Sequence, residues 1–217
     1  MDILERLRNN KGTVSGKLSK SLAEDILTGN VDILQQAVEL TKFSATRQQE
    51  KNIRAGAATI VDCVAKEQPT LIVPYLEQLF PALEVEEPQT RWMIIRTLGV
   101  CAKYNQEVAK KAIPYARTYL REKREGLLCL ASAADGFLAD YGAISPDNAH
   151  EIFPILAESA AEVITNEHDW LLEAFMKTMK HLNQQEKAMV VTFAQDYKNH
   201  PRKKTQARVK QLEQMCQ

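Results

Sequence analysis

A chain of 217 residues with 45% hydrophobic and 26% charged side chains can bury a large apolar area, in one or two closed cores or in a stack of repeats that never closes. Its 28 basic and 28 acidic residues cancel, which excludes an overall field directing it to nucleic acid, an anionic membrane or an acidic substrate. No apolar run approaches the roughly 20 residues that span a bilayer, and Cys63, Cys101, Cys129 and Cys216 form no CxxC pair, so buried free thiols in a reducing cytoplasm are expected.

The first 20 residues, MDILERLRNNKGTVSGKLSK, carry five basic and two acidic residues with Ile3, Leu4 and Leu7 on one face. They read as a mobile arm or as a short helix followed by a loop, ahead of a repeat region over 21–217. LSKSLAEDILTGN then reads as a capping helix over Leu18, Leu22 and Ile26, because an end repeat must cover what a neighbour would otherwise bury.

From residue 31 two series interleave. IVPYLEQL, AIPYARTY and IFPILAES place Pro74, Pro114 and Pro154 at intervals of 40. IRAGAATIVD, TRWMIIRTLG and LCLASAADG set Arg54 against Arg91, and Asp62, Gly99 and Gly136 in register at 37. Two series mean two elements per repeat. Ile72, Leu76, Leu79 and Leu83 give the first element one apolar stripe, whereas Ile94, Leu98 and Cys101 with Met93, Thr97 and Val100 make the second apolar on two sides. The spacing predicts outer helices near 31–42, 70–82, 107–121, 147–163 and 185–198. Inner helices follow near 50–66, 89–104, 124–141, 167–182 and 201–215. Small residues around Gly56 and Gly136 let inner helices approach closely, and a helical glycine, about 1 kcal/mol worse than alanine, implies a packing need.

These residues resemble the HEAT-repeat family: an outer helix with an internal proline (Pro74, Pro114, Pro154), a polar turn, an Ile53-Arg54 or Thr90-Arg91 step, and an LGVCA ending. The resemblance covers about four fifths of the chain, with Leu128 standing where the register expects arginine. It implies an all-α, right-handed superhelix of five hairpins, a HEAT-like solenoid with an N-terminal capping helix. It also implies structural roles for Arg54 and Arg91, bridged through Glu86 or Glu87.

Functional candidates then sit on inner helices. Trp92, Arg96, Gly99 and Lys103 share one face of theirs, and an aromatic beside a cation is the composition of a binding hot spot. Trp170 occupies a comparable place further on, with Asp169 beside it; Thr165 or Asn166 is a cap, and Glu167 and Asp169 favour the first turn. His168 reads as exposed, with no second ligand in range. Charge falls in stretches: seven cations against three acids over 103–125, nine acids and no lysine or arginine over 126–176, and seven cations against three acids from Glu186 onward. Such bands suit a partner with complementary bands and oppose a continuous phosphate track.

No phosphate loop, GxSxG or HExxH motif is present. The reading is a non-enzymatic adaptor or scaffold for a protein partner, contacting it through Trp92, Arg96, Lys103, Asp169 and Trp170. No metal, cofactor, membrane or small-molecule substrate is expected. The alternative is a nucleic-acid-binding protein like the HEAT-like alkylpurine DNA glycosylases, with Asp169, Trp170, Trp92, Arg96 and Arg54 as its raw material.

Overall fold

A computed structural model of the chain describes residues 2–10, 16–44, 50–164 and 167–216, and among them there is no strand. Thr165 and Asn166, expected to cap an inner helix, lie outside the described residues. The chain divides into two compact units, Met1–Ala112 and Ile113–Gln217.

In the first unit, α1 (Ile3–Arg8), α2 (Gly16–Leu27) and α3 (Asp32–Leu40) all pack on α4 (Lys51–Glu67). The periodicity of α4 explains its central place, since Ile53, Ala57, Ile60, Val61 and Val64 are at most 1% exposed and point several ways around its axis. The start of the chain is a short helix: Asp2 accepts the Leu4 N–H, and Ile3 and Leu7 are buried. Gly56 meets the packing need expected of it, because a Cβ there would lie 2.8 Å from Leu7 Cδ2. The Ser19 hydroxyl donates to the Gly56 carbonyl at 3.2 Å. Helix α5 (Pro88–Cys101) packs along α4, and α6 (Gln106–Lys110) follows it.

The outer element expected as an α-helix over 70–82 is 3-10 helix instead, at Pro69–Leu71 and Val73–Leu83. Eleven residues is long for that geometry. Pro74 and Pro81 each lack a donor, and Leu76, Leu79 and Ala82, all at most 1% exposed, recur every three residues. That period matches 3.0 residues per turn better than 3.6.

In the second unit α7 (Ile113–Arg121), α9 (Pro146–Ala161) and α10 (His168–Thr178) surround α8 (Leu128–Gly142), while α11 (Gln184–Gln195) and α12 (Lys203–Met215) complete the stack through contacts of α12 with α10 and α11. Phe175 joins three elements, its ring 6.2 Å from Phe153 and 5.7 Å from Phe193. Ser145 caps α9 by accepting the Asn148 N–H, and Asn183 with Glu186 forms a capping box on α11.

The expected outer helix 107–121 is two helices, α6 and α7, broken just ahead of Pro114, which cannot donate. Pro114 takes the second position of α7 and Pro74 the second position of its 3-10 helix, where no donor is needed. Pro154 is internal to α9, as expected. The inner helix expected from 124 begins at Leu128. Residues Glu122–Glu125 make a 3-10 turn closed by Gly126 at φ 87°, a left-handed conformation that favours glycine. Gly136 does not meet a packing need, since nothing lies within 4 Å of a Cβ placed there. Gly142 does: a Cβ would lie 2.9 Å from Ile152 Cγ1 and 3.0 Å from Thr178 Cγ2.

Candidate functional site

Two ion-pair layers fix α5 on α4. At its start, Arg54 grips Glu87 in a fork, Nε and Nη2 donating to the two carboxylate oxygens at 2.6 and 2.7 Å, with Thr90 donating to the same carboxylate at 3.0 Å and Lys51 pairing with Glu86. This is the bridge that the repeat resemblance implied for Arg54. Two turns further, Asp62, only 3% exposed, accepts from Arg96 Nε and Nη2 at 2.8 and 2.6 Å and from Lys66 at 2.9 Å.

The same Arg96 guanidinium lies 4.5 Å from the centroid of the Trp92 ring. Arg96 is therefore held between a carboxylate and an aromatic face, a third of its side chain still reaching solvent, and Trp92 is half-buried. A cation over an indole adds about 0.5–1 kcal/mol at an exposed site. Its larger effect here is to fix both side chains in one arrangement. Lys103 is not part of that arrangement; it lies beyond α5, exposed, with its ammonium 4.9 Å from the ring of exposed Tyr104.

Asp169 and Trp170 belong to the second unit. Trp170 is half-buried on α10. Asp169 faces α12, accepting from Thr205 at 2.8 Å, Arg208 at 2.9 Å and Arg202 at 3.4 Å, and Arg208 also pairs with Glu173. Burial pushes the Asp169 carboxyl up, but the Thr205 and Arg208 hydrogen bonds and the Arg208 charge outweigh it and hold the carboxyl below its ordinary value. His168, expected at the surface, is 6% exposed. It stacks on Tyr197 at 4.7 Å and meets His200 at 4.5 Å, and burial keeps its imidazole below the ordinary value. No group of three metal-ligating side chains forms among the described residues.

A buried polar cluster escaped the sequence reading. Lys123, expected in a basic stretch, is 4% exposed, and Glu167, expected to serve the first turn of α10, is fully buried. The ammonium donates to both Glu167 oxygens at 2.9 Å and to the Ser159 carbonyl and hydroxyl at 3.1 Å. Glu167 also accepts the Ile164 N–H at 3.0 Å. Asp135 is fully buried with neither carboxyl oxygen hydrogen-bonded to a described residue. Burial pushes its carboxyl well above the ordinary value; the Glu167 charge adds to that shift and Lys123 opposes it.

The nine acids of 126–176 are not a bare negative band. Asp140 pairs with Lys177, Glu158 with Arg117 and Arg121, Glu162 with Arg124, Glu167 with Lys123, and Asp169 and Glu173 with Arg208. All of these counter-ions but Lys177 come from the flanking basic stretches, about one repeat away. The cysteines also depart in part from expectation. Cys101 is buried, its thiol pushed up to about 12, but Cys63 and Cys216 are partly exposed and Cys129 is exposed.

Comparison with protein-family models and with curated proteins gives no match. Among solved structures, an engineered protein from a structural genomics consortium aligns at TM-score 0.64 and 14% identity, covering 100% of this chain and 97% of that one. A designed armadillo repeat protein in complex with the peptide (KR)4 aligns at TM-score 0.65 and 11% identity, covering 93% and 91%. At such identities the likeness speaks for architecture alone: the chain has an all-α, HEAT/armadillo-like repeat fold.

Proposed function

We propose that the chain is a non-catalytic scaffold that binds a partner polypeptide through the solvent-facing edge of α5, with Trp92 and Arg96 as the central contacts and Lys103 at the periphery. The observation that carries this reading is the Asp62–Arg96–Trp92 arrangement, in which a half-buried indole and a partly exposed guanidinium are already locked by a buried carboxylate. A contact surface with fixed rotamers loses little side-chain entropy on association, and tryptophan and arginine dominate interface energetics. Trp170 is the matching contact of the second unit, and Asp169 supports it by tying α12 to α10. The designed armadillo protein of similar architecture holds a peptide, which favours a peptide or an exposed segment of a protein as occupant. A reducing cytoplasm suits four cysteines that are all free, and no described helix is long and apolar enough to cross a membrane.

The test is cross-linking capture of the partner, then calorimetric titration of its purified binding segment. Trp92→Ala is expected to weaken binding by about thirtyfold, the effect of a hot spot worth about 2 kcal/mol, while the variant still melts cooperatively. Unchanged affinity in Trp92→Ala sinks the reading. So does a gel shift of short duplex DNA at low salt that Arg96→Ala abolishes, which would favour the nucleic-acid alternative.

A further inference from the structure

Between α7 and α9, within the second unit, lies a cavity of about 270 Å³ lined by Arg117, Arg121, Arg124 and Glu158, with Leu120 and Ile155 as its apolar part. Arg117 and Arg121 are four residues apart on α7 and so share a face. Both point at Glu158, Arg117 Nη2 at 3.6 Å from one carboxylate oxygen and Arg121 Nη2 at 3.6 Å from the other. These separations exceed hydrogen-bond distance. Three better-buried guanidinium–carboxylate pairs close fully, at 2.6 Å for Arg54–Glu87 and for Arg96–Asp62 and 2.9 Å for Arg208–Asp169. One exposed carboxylate, 54% accessible, is thus spread between two guanidiniums and satisfies neither fork.

The wall around them is built. Lys123, on the turn that follows α7, is anchored under the cavity by Glu167 and Ser159, which fixes the backbone that carries Arg121 and Arg124. Arg124 pairs with Glu162 at the rim. With Lys123 neutralised by Glu167, three arginines face two carboxylates across the lining, and both carboxylates are half exposed. Their competition is therefore screened. An oxyanion with three terminal oxygens and two charges can satisfy both arginine forks at once, which a carboxylate with two oxygens does not. The volume admits such a group with a few attached carbons against Leu120 and Ile155. No described lining residue is aromatic, so a nucleobase would find no ring to stack on.

We propose that this cavity binds a phosphate monoester, carried by a small metabolite or by a phosphorylated side chain of a bound polypeptide. Arg117 and Arg121 grip the dianion, and Glu158 turns outward to water as it enters. Glu158 is then a resident stand-in for the ligand, and removing its charge strengthens binding. The inference does not rest on the α5 surface, so Trp92→Ala leaves it unchanged, and either proposal can fail without the other.

The experiment is isothermal titration at fixed ionic strength with O-phospho-L-serine, glycerol phosphate and a short phosphoserine peptide, with serine as control. Saturable binding of the monoesters is expected, and it strengthens as pH rises through about 6, where the second phosphate proton leaves. Arg117→Gln with Arg121→Gln weakens it by about tenfold or more. Glu158→Gln tightens it several-fold, a gain that misfolding cannot imitate. A peptide that binds more tightly than free phosphoserine assigns the ligand to a polypeptide; equal or weaker peptide binding assigns it to a metabolite. Absence of saturable binding by every monoester overturns the proposal, as does a Glu158→Gln variant that binds no better, or a short RNA that outcompetes them all.

Discussion

Lys123, only 4% exposed, shares its three N–H groups among four acceptor oxygens of Glu167 and Ser159, and fully buried Asp135 interacts with the same pair. Removing one member of a buried pair leaves an uncompensated charge, at a cost of about 3–5 kcal/mol. Lys123→Met is expected to lose stability on that scale in urea melts, and Lys123→Met with Glu167→Leu to recover most of it. Asp135 gives a pH dependence of fixed sign. Its folded carboxyl is raised above the unfolded value, so the folded state holds the proton more tightly. Stability from this group is full below the ordinary carboxylate pKa and is lost as pH rises toward the folded pKa. Asp135→Asn should therefore flatten the decline of the melting midpoint as pH rises above the ordinary carboxylate range; an unaltered slope would contradict the buried-acid account. None of this cluster was legible in the sequence. Lys123 and Glu167 are 44 residues apart, and burial of a pair leaves no local signature when each member also fits a charged surface run. Arg54–Glu87 was legible, because a repeat register assigns an arginine a place relative to the turn that follows.

At the scale of the element, two glycines of α8 offer opposite outcomes from one chemical change. Gly136 is interior to the helix with open space at its Cβ, so Gly136→Ala gains only the helix-propensity difference, a stabilisation of up to about 1 kcal/mol. Gly142 ends the same helix where an added Cβ would lie 2.9–3.0 Å from Ile152 and Thr178, and Gly142→Ala should destabilise by about 1 kcal/mol or more through overpacking. Thermal melts of the two variants moving the same way would refute this reading of the α8–α9 contact. The register at 37 singled out the wrong glycine, since it reported position in the repeat and not what stands opposite. Inner helices α4 and α5 fall within about three residues of their expected bounds because two-sided apolar patterning over 14 residues or so is unambiguous, and α12, with one buried stripe at Thr205, Val209 and Leu212, is bounded at its start by Pro201. The outer element at Val73–Leu83 was read with the wrong pitch. A stripe at Leu76, Leu79 and Leu83 averages 3.5 residues per turn and so points to an α-helix, whereas the two prolines and buried Ala82, three residues beyond Leu79, favour the tighter winding.

Among the described residues most ion pairs join side chains 33 to 44 residues apart, from Arg54–Glu87 to Lys123–Glu167. Lys51–Glu86, Arg96–Asp62, Lys111–Glu77, Lys177–Asp140 and Arg208–Glu173 join residues 34 to 37 apart, which is one repeat. The sequence showed the segregation of charge plainly and so suggested bands aimed at a partner. The fold turns much of that segregation inward, because residues one period apart come side by side. Trp92 with Arg96 was legible as a pair from helical spacing alone; that Asp62 completes it required knowing which hairpin lies next to which. The pairing also has a consequence for the molten chain. With its order lost, residues 103–217 are a polyampholyte whose positive, negative and positive segments attract one another over long range. The unfolded ensemble in dilute salt is then collapsed, and it swells as salt screens the segments. Urea, which carries no charge, unfolds the protein into that contracted coil, whereas guanidinium chloride screens as it denatures and releases a more open one.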